Sequence, residues 1–260
     1  MEPNAFVAEV YRRMSLRLPA DRPVPTWDQM KNDVVVLQAM DDCRSLLPPN
    51  KNAAILDVGF GGGWFLAACI NLGYMNLSGA DFGIQRKAYV KQWSPAVVAL
   101  HSIESNIGDF LSGHPAEYDF IHMSHVIEHI PKYSLLYIVD SLYAALKSGG
   151  ILLVRTPNME GPCANSSYYV TLAHEYGFAG SNLASLLSIC NFEDIHLHEF
   201  EPRVRTAKQL AGRLLRWPSL RWNAMRHRLF GVNQGGIFGA ELVATARRGN
   251  LPPLLDSGYK

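Results

Sequence analysis

The sequence predicts an α/β protein with a doubly wound, mostly parallel sheet and helices on both faces. Three observations predict it. A buried strand, a glycine turn, a helix and a second short strand ending in an acid follow one another from Ala53 to Asp81, AAILDVGFGGGWFLAACINLGYMNLSGAD. Strand and helix patterns then alternate towards the C-terminus, and βα units in series build a parallel sheet. The apolar, β-branched run ILLVRT, from Ile151 to Thr156, reads as a strand ended by Pro157.

Each element has its own signal. The segment to about Asn50 reads as helical, with a proline-rich break at Pro19, Pro23 and Pro25. Ala54 to Val58 is the first strand, and the second ends at Asp81. Ile84 to Trp93 is a helix stopped by Ser94-Pro95. Val97 to Ser102 and Tyr118 to Ser124 supply the third and fourth strands. Ser134 to Lys147 is a long helix closed by Gly149-Gly150. After the fifth strand comes a helix from Ser181 to Asn191, and Ile195 to Phe200 and Leu242 to Ala246 make the last two strands. The predicted organisation is a helical cap at 1–50, the main α/β domain at 51–247 with a basic helical insertion at about 202–240, and a tail at 248–260.

Composition narrows the class. A chain of 260 residues is one large domain, or one domain with decorations. It can bury roughly 70% of its unfolded surface, enough for a proper core. A net charge of +1 gives no global attraction to nucleic acid. Cys43, Cys69, Cys163 and Cys190 are scattered with no C-x-x-C pair, which suits a reducing cytoplasm. The start, MEPNAFVAEVYRR, shows no basic-then-apolar signal pattern, and no run of about 18 apolar residues could span a bilayer. The expected location is therefore cytoplasmic.

The glycine turn selects a ligand. A dinucleotide fingerprint starting at Gly59 would require glycine at position 64, where Trp64 stands. Asp57, two residues before Gly59, would repel a pyrophosphate but suits a ligand bearing an ammonium group. An acid, then G-x-G-x-G, then an acid ending the next strand resembles motif I of the class I S-adenosylmethionine-dependent methyltransferases. The matching residues are Asp57, Gly59, Gly61, Gly63 and Asp81. The resemblance implies that Asp57 lies near the methionyl group and that the glycine turn, with Phe60, approaches the donor. It also implies that Asp81 binds both ribose hydroxyls, as a carboxylate can, with Phe82 beside it.

The resemblance continues through Ile107-Gly108-Asp109-Phe110, where the family has an acid facing the adenine amino group. It also includes YDFIHMSHVIEHIP, from Tyr118 to Pro131, and LKSGGILLVRTPN, from Leu146 to Asn158. It places Ser124 near the donor. It implies a Rossmann-like, seven-stranded sheet whose last strand is antiparallel. It leaves the acceptor open, because many methyltransferases share this core.

His125, Glu128 and His129 spell H-x-x-E-H, a spacing that can mark a zinc site. Zinc would need both histidines on one helical face and a third ligand downstream. The segment follows a strand directly and meets Pro131, so it reads as a β-α loop. No metal is expected, and Glu128 and His129 are assigned to loop packing and helix-start hydrogen bonding. His125 opens the loop at the carboxyl end of the fourth strand and is a candidate catalytic residue. His122 is expected within the strand as a satisfied core residue.

Tyr168 to Phe192 resembles a segment in methyltransferases of bacterial cell-surface polysaccharide clusters. It retains His174, Glu175, Phe178, Leu183, Leu186, Leu187 and Phe192, but has Thr171 where an acid would stand and Ala173 in place of a threonine. His174 is a candidate base, since neutral imidazole accepts a hydroxyl proton, and Glu175 a candidate substrate contact. The alternative, that His174 caps a helix or bonds a backbone carbonyl, stays open.

Between Pro202 and Ala240 lie Arg203, Arg205, Lys208, Arg213, Arg216, Arg221, Arg226 and Arg228, with no acid and with interleaved leucines and tryptophans. Three readings stay open: a helical cover or homodimer interface, a contact with an anionic or lipid-linked acceptor through residues such as Arg213 and Arg216, and an anionic membrane surface at the inner face. The expected function is O-methylation of a sugar or glycan intermediate of cell-surface polysaccharide synthesis, with S-adenosyl-L-methionine as donor. The alternatives are methylation of a small molecule or secondary metabolite, and a noncatalytic donor-binding subunit. Nucleic acid is not an expected acceptor, for want of an N-P-P-Y-type motif.

Overall fold

The computed structural model describes residues 9–10, 13, 24–82, 84–94, 98–103, 106–199, 204, 206–230 and 236–254. The expected breaks at Pro19 and Pro23, the positions Pro95, Val97, Phe200, Arg203 and Arg205, and the end of the tail lie outside these residues.

Helices α1 (Trp27–Lys31) and α2 (Val34–Cys43) precede the sheet. Thr26 and Gln29 form a reciprocal capping box at the first, and Asp33 caps the second. Strand β1 (Ile55–Val58) is buried at every position, as a central strand covered on both faces must be. It leads through the glycine turn into α3 (Trp64–Asn71), whose Phe65 to Cys69 are all buried. Strand β2 (Leu77–Phe82), α4 (Ile84–Trp93), β3 (Val98–Ile103), α5 (Ile107–Ser112) and β4 (Tyr118–Ser124) complete the first half.

The second half contains α6 (Leu135–Ala145), β5 (Leu146–Pro157), α7 (Ala164–Tyr168), α8 (Gly180–Ile189), β6 (Phe192–Glu199), α9 (Ala207–Leu229) and β7 (Glu241–Arg248). The seven strands lie in the order β3-β2-β1-β4-β5-β7-β6. Strand β7 runs antiparallel to both neighbours, and the other pairings are parallel. One apolar cluster joins α5, α6 and α8 to one face of the sheet. The other joins α1, α2, α3 and α4 to the opposite face. The chain order reverses between β1 and β4, and the carboxyl ends of those strands open the crevice where such sheets bind ligands.

One local expectation changes and another is met in fuller form. Gly149-Gly150 was expected to close a helix reaching Lys147. The helix stops at Ala145 and β5 starts at once. Gly149, at φ +76°, accompanies a register shift against β4 between Tyr118 and Phe120, so the glycine pair serves an irregularity in the strand. In the basic insertion, helical spacing was expected on both sides of Pro218. A single 23-residue helix continues through that proline, opened by a capping box of Thr206 and Gln209.

Candidate active site

The glycine turn is built by backbone geometry. Gly59, Gly61 and Gly63 all have left-handed φ, at +75°, +53° and +79°. A Cβ on Gly59 would lie 2.3 Å from Val126 Cγ2, and one on Gly63 would lie 2.5 Å from the Trp93 ring. The turn is therefore pressed against the loop after β4 on one side and against α4 on the other. Gly61 N–H donates to Asp81 Oδ2 at 2.7 Å, which draws the acid at the end of β2 to the turn.

Asp57 is buried and accepts a hydrogen bond from His122 Nδ1 at 2.7 Å. The β1–β4 register makes this pair by placing Asp57 opposite His122. The His122 ring also stacks on Phe65, with centroids 3.8 Å apart. His122 is satisfied within its strand, as expected, but as the orienting partner of a site acid.

Asp109 occupies the first turn of α5, where its carboxylate accepts from Asn106 Nδ2 at 2.7 Å and Tyr137 Oη at 3.0 Å. The Phe110 ring packs beside His114, with centroids 4.6 Å apart. Phe82 is partly exposed and Ser124 half-buried, each at the end of its strand. Phe60 lies in the turn with its side chain turned inward. Its side chain is buried among α3 and β2, beside Gly79, so only its backbone can face a ligand at the turn.

Beyond β4 the chain turns at His125, a non-glycine residue at φ +54°. His125 N–H donates to the Arg155 carbonyl at 2.9 Å, and a 3₁₀ turn covers Ile127–His129. This segment and the one after β5 enclose a cleft of about 390 Å³, lined by His125, Glu128, His129, Pro157, Ser166, Ser167, Val170, His174, Ala240 and Glu241. Another groove of about 390 Å³ lies on α8 and β6 and has no ionisable lining residue.

Several ionisable side chains converge on the cleft. Glu128 is only 2% exposed, and its Oε2 accepts from Thr156 Oγ1 at 3.1 Å. His125 Nδ1 lies 3.3 Å from Glu128 Oε1, and its Nε2 lies 3.6 Å from Glu241 Oε1. Glu241, from the start of β7, also pairs with Arg155. His129 Nδ1 donates to the Ala173 carbonyl at 2.8 Å, and His174 Nδ1 donates to the Tyr168 carbonyl at 2.8 Å. A carbonyl only accepts, so both rings carry a proton on Nδ1, which in a neutral imidazole leaves the lone pair on Nε2. Burial pushes the His129 imidazole below its usual pKa.

Both candidate histidines, His125 and His174, therefore line one cleft. The carbonyl bond foreseen as an alternative for His174 is present, and it sets the tautomer. Glu175 is exposed and absent from the cleft lining, and its backbone N–H donates to the Glu128 carbonyl at 2.8 Å. Glu128 supplies the acid there instead. Arg213 and Arg216 lie on α9 and do not line this cleft. Glu241 carried no sequence signal, because it enters through an antiparallel pairing far along the chain.

A family model described as a methyltransferase domain matches residues 35–227. The chain belongs to this methyltransferase family. Its fold is similar to a chain in the complex between the Haloferax volcanii Trm112 methyltransferase activator and a methyltransferase, at TM-score 0.65 and 12% identity, over 95% of this chain and 99% of that one. It is similar to an S-adenosylmethionine-dependent methyltransferase from Mesorhizobium loti, at TM-score 0.61 and 17% identity, over 84% and 100% of the two chains. It is also similar to Haemonchus contortus phosphoethanolamine N-methyltransferase 2 in complex with S-adenosyl-L-methionine, at TM-score 0.53 and 16% identity, over 82% and 53%. At these identities the likeness shows the fold. No curated protein sequence matches.

The methyltransferase is thus S-adenosylmethionine-dependent, and it acts on an acceptor substrate. The turn fits that donor. Side chains are missing where the backbone must come close, and the acids Asp57 and Asp81 end or flank the two strands beside it.

Proposed function

We propose that this methyltransferase O-methylates a sugar hydroxyl of an anionic, lipid-linked glycan intermediate of cell-surface polysaccharide synthesis. The observation that carries the reading is the His- and Glu-lined cleft, joined to the glycine turn by the contact of Val126 with Gly59. The bound donor supplies an electrophilic methyl group. Asp81 and the turn would hold the donor, with Asp57 towards its ammonium group. Ser124 and His125, at the mouth of β4, would border the methyl group. The cleft would hold the acceptor in line and keep water out. A hydroxyl there can surrender its proton to a basic imidazole Nε2 as the oxygen attacks.

Helix α9 supports the anionic, lipid-linked part. Asn223 is its buried residue among those described, and Asn223 Nδ2 donates to the Glu160 carbonyl at 2.6 Å. At about 100° per residue, Leu214, Met225, Pro218, Leu229, Trp222 and Leu215 fall on one stripe roughly 100° wide, centred about 130° round the helix from Asn223. Leu215 is 80% exposed and Trp222 63%. Arg221 and Arg228 border one edge of this apolar stripe and Arg226 the other. An amphipathic helix of this kind lies in the surface of an anionic bilayer, where a lipid-linked acceptor resides. No helix among the described residues is long and apolar enough to cross a membrane.

The test is methyl transfer from labelled donor into extracted lipid-linked glycans, read by mass spectrometry, together with flotation on anionic and neutral vesicles. Replacing Arg213, Arg216, Arg221 and Arg226 by Gln should abolish flotation on anionic vesicles and leave S-adenosylhomocysteine affinity unchanged. The parent protein should also detach with salt, because exposed charges are screened beyond about 10 Å at 0.1 M. Label in a soluble small molecule instead of the glycan would refute the acceptor. A protein that dimerises through α9 and ignores vesicles would refute the membrane contact.

A further inference from the structure

Glu128, His129 and His174 bring one ligand atom each within 4.8 Å of one another in the cleft. The two imidazoles have their Nδ1 protons fixed by the carbonyls of Ala173 and Tyr168. Metal-binding histidines are oriented by such second contacts, which leave Nε2 as the donor to the metal. Glu128 is 2% exposed, and its Oε1 makes no hydrogen bond. His125 Nδ1 lies 3.3 Å from that oxygen, a Coulombic approach that falls short of a hydrogen bond. A buried carboxylate oxygen left in this state is costly unless a cation meets it.

A metal held by H-x-x-E-H alone would need both histidines on one helical face. The structure satisfies the ligand count differently. His129 and Glu128 come from a 3₁₀ turn, and His174 arrives from the loop after β5. The backbone bonds of Glu175 N and Tyr176 N to the Glu128 carbonyl, at 2.8 and 3.2 Å, fasten that loop to the turn.

We infer that Glu128, His129 and His174 form a binding site for a divalent first-row cation of the Zn²⁺ or Co²⁺ class. Two imidazoles and one carboxylate suit such borderline ions better than Mg²⁺ or Ca²⁺. Three protein ligands leave positions open for outside oxygens. The place of this cation in the reaction rests on the hydroxyl-acceptor reading above, whereas its binding does not. A sugar hydroxyl and a neighbouring oxygen would fill the open positions. With the cation bound, the His129 and His174 Nε2 atoms serve as its ligands and not as bases, and the cation would lower the hydroxyl pKa so that the proton passes to water at the cleft mouth. The oxygen lone pair then forms the bond to the methyl carbon as the carbon–sulfur bond breaks. The bonding pair stays on sulfur, which changes from sulfonium to neutral thioether.

The test is titration of the chelator-stripped full chain with Co²⁺, followed by visible absorption and by calorimetry. One Co²⁺ per chain is expected, with ligand-field bands of nitrogen and oxygen coordination. His174→Gln and Glu128→Gln should each weaken binding at least tenfold. S-adenosylhomocysteine affinity, measured in parallel, should be unchanged and shows that each variant is folded. His174 is half-buried, so its variant covers the case in which Glu128→Gln fails to fold. Absence of saturable uptake at millimolar Co²⁺, or uptake indifferent to both substitutions, overturns the site. Glycan methylation that persists in the stripped enzyme overturns the cation's part in the reaction and leaves the acceptor reading standing. Stoichiometric Co²⁺ binding without any glycan methylation supports the site and refutes the acceptor.

Discussion

Gly59→Ala tests whether the donor turn and the acceptor loop share one packing contact. Two costs are separable. Alanine at φ +75° must hold a left-handed backbone, a penalty of about 1–2 kcal/mol. Its Cβ would also stand 2.3 Å from Val126 Cγ2, far inside the contact distance of roughly 3.5–4.0 Å between carbons. Val126 is β-branched, so its χ1 gives way reluctantly. Overpacking of this kind costs about 1–3 kcal/mol. Gly59→Ala should therefore lose about 2–5 kcal/mol in urea unfolding. Adding Val126→Ala removes Cγ2 and leaves the backbone penalty. The double variant should then be less destabilised than the sum of the single variants, with a coupling of about 1–3 kcal/mol. Titration with S-adenosylhomocysteine should show the same pattern, with affinity weakened by Gly59→Ala and partly recovered in the double variant. Additive effects of the two substitutions would show that the clash relaxes elsewhere, and the argument that the loops are coupled through Val126 would fail.

Asp81→Ala should weaken S-adenosylhomocysteine binding by about 1.5–3 kcal/mol, the range for hydrogen bonds to a charged group. Unchanged affinity in a folded variant would remove Asp81 from the ribose site. Asp140 on α6 is buried with Oδ1 unbonded, and burial raises its carboxyl pKa above 3.8, partly offset by the Cys190 thiol. The folded state then holds its proton more tightly than the unfolded state, so this group's stabilising contribution is present below pH 3.8 and is lost as pH rises through the raised value. Asp140→Asn should gain stability relative to the parent as pH climbs from acid to neutral. Parallel urea titrations across that range check it, and a constant difference between the two proteins would refute it.

The proposed donor half of the candidate site was legible because its signals are local. An acid, a glycine turn and a second acid lie within 25 residues, and the strand–helix order leaves one way to assemble them. Spacing places Phe60 in the turn without saying which way its side chain faces, and the structure buries that side chain beside Gly79. The Asp57–His122 bond spans 65 positions and exists only through the β1–β4 register. The cleft was half legible. His125 and His174 stood out by residue type, while Glu128 and His129 were assigned to packing because their segment lacked a long helix. A 3₁₀ turn has no clear hydrophobic period, and Glu241 reaches the cleft through an antiparallel strand whose partner is set by topology.

The left-handed turn at His125 connects these parts. Strand β4 delivers Ser124 to the sheet edge, and the reversal at His125 sends the next side chains in different directions. Val126 fills the space that Gly59 leaves open, whereas Glu128 and His129 line the cleft. A β-region residue at position 125 would continue the strand and carry Val126 away from the turn. Thr156 then fixes Glu128 from β5, and the Glu128 carbonyl holds the loop that carries His174. Each of these links is a hydrogen bond or a close contact. The donor's methyl carbon and the acceptor's oxygen must meet in line, and a short, tightly packed connection of this kind is what allows one sheet edge to hold both.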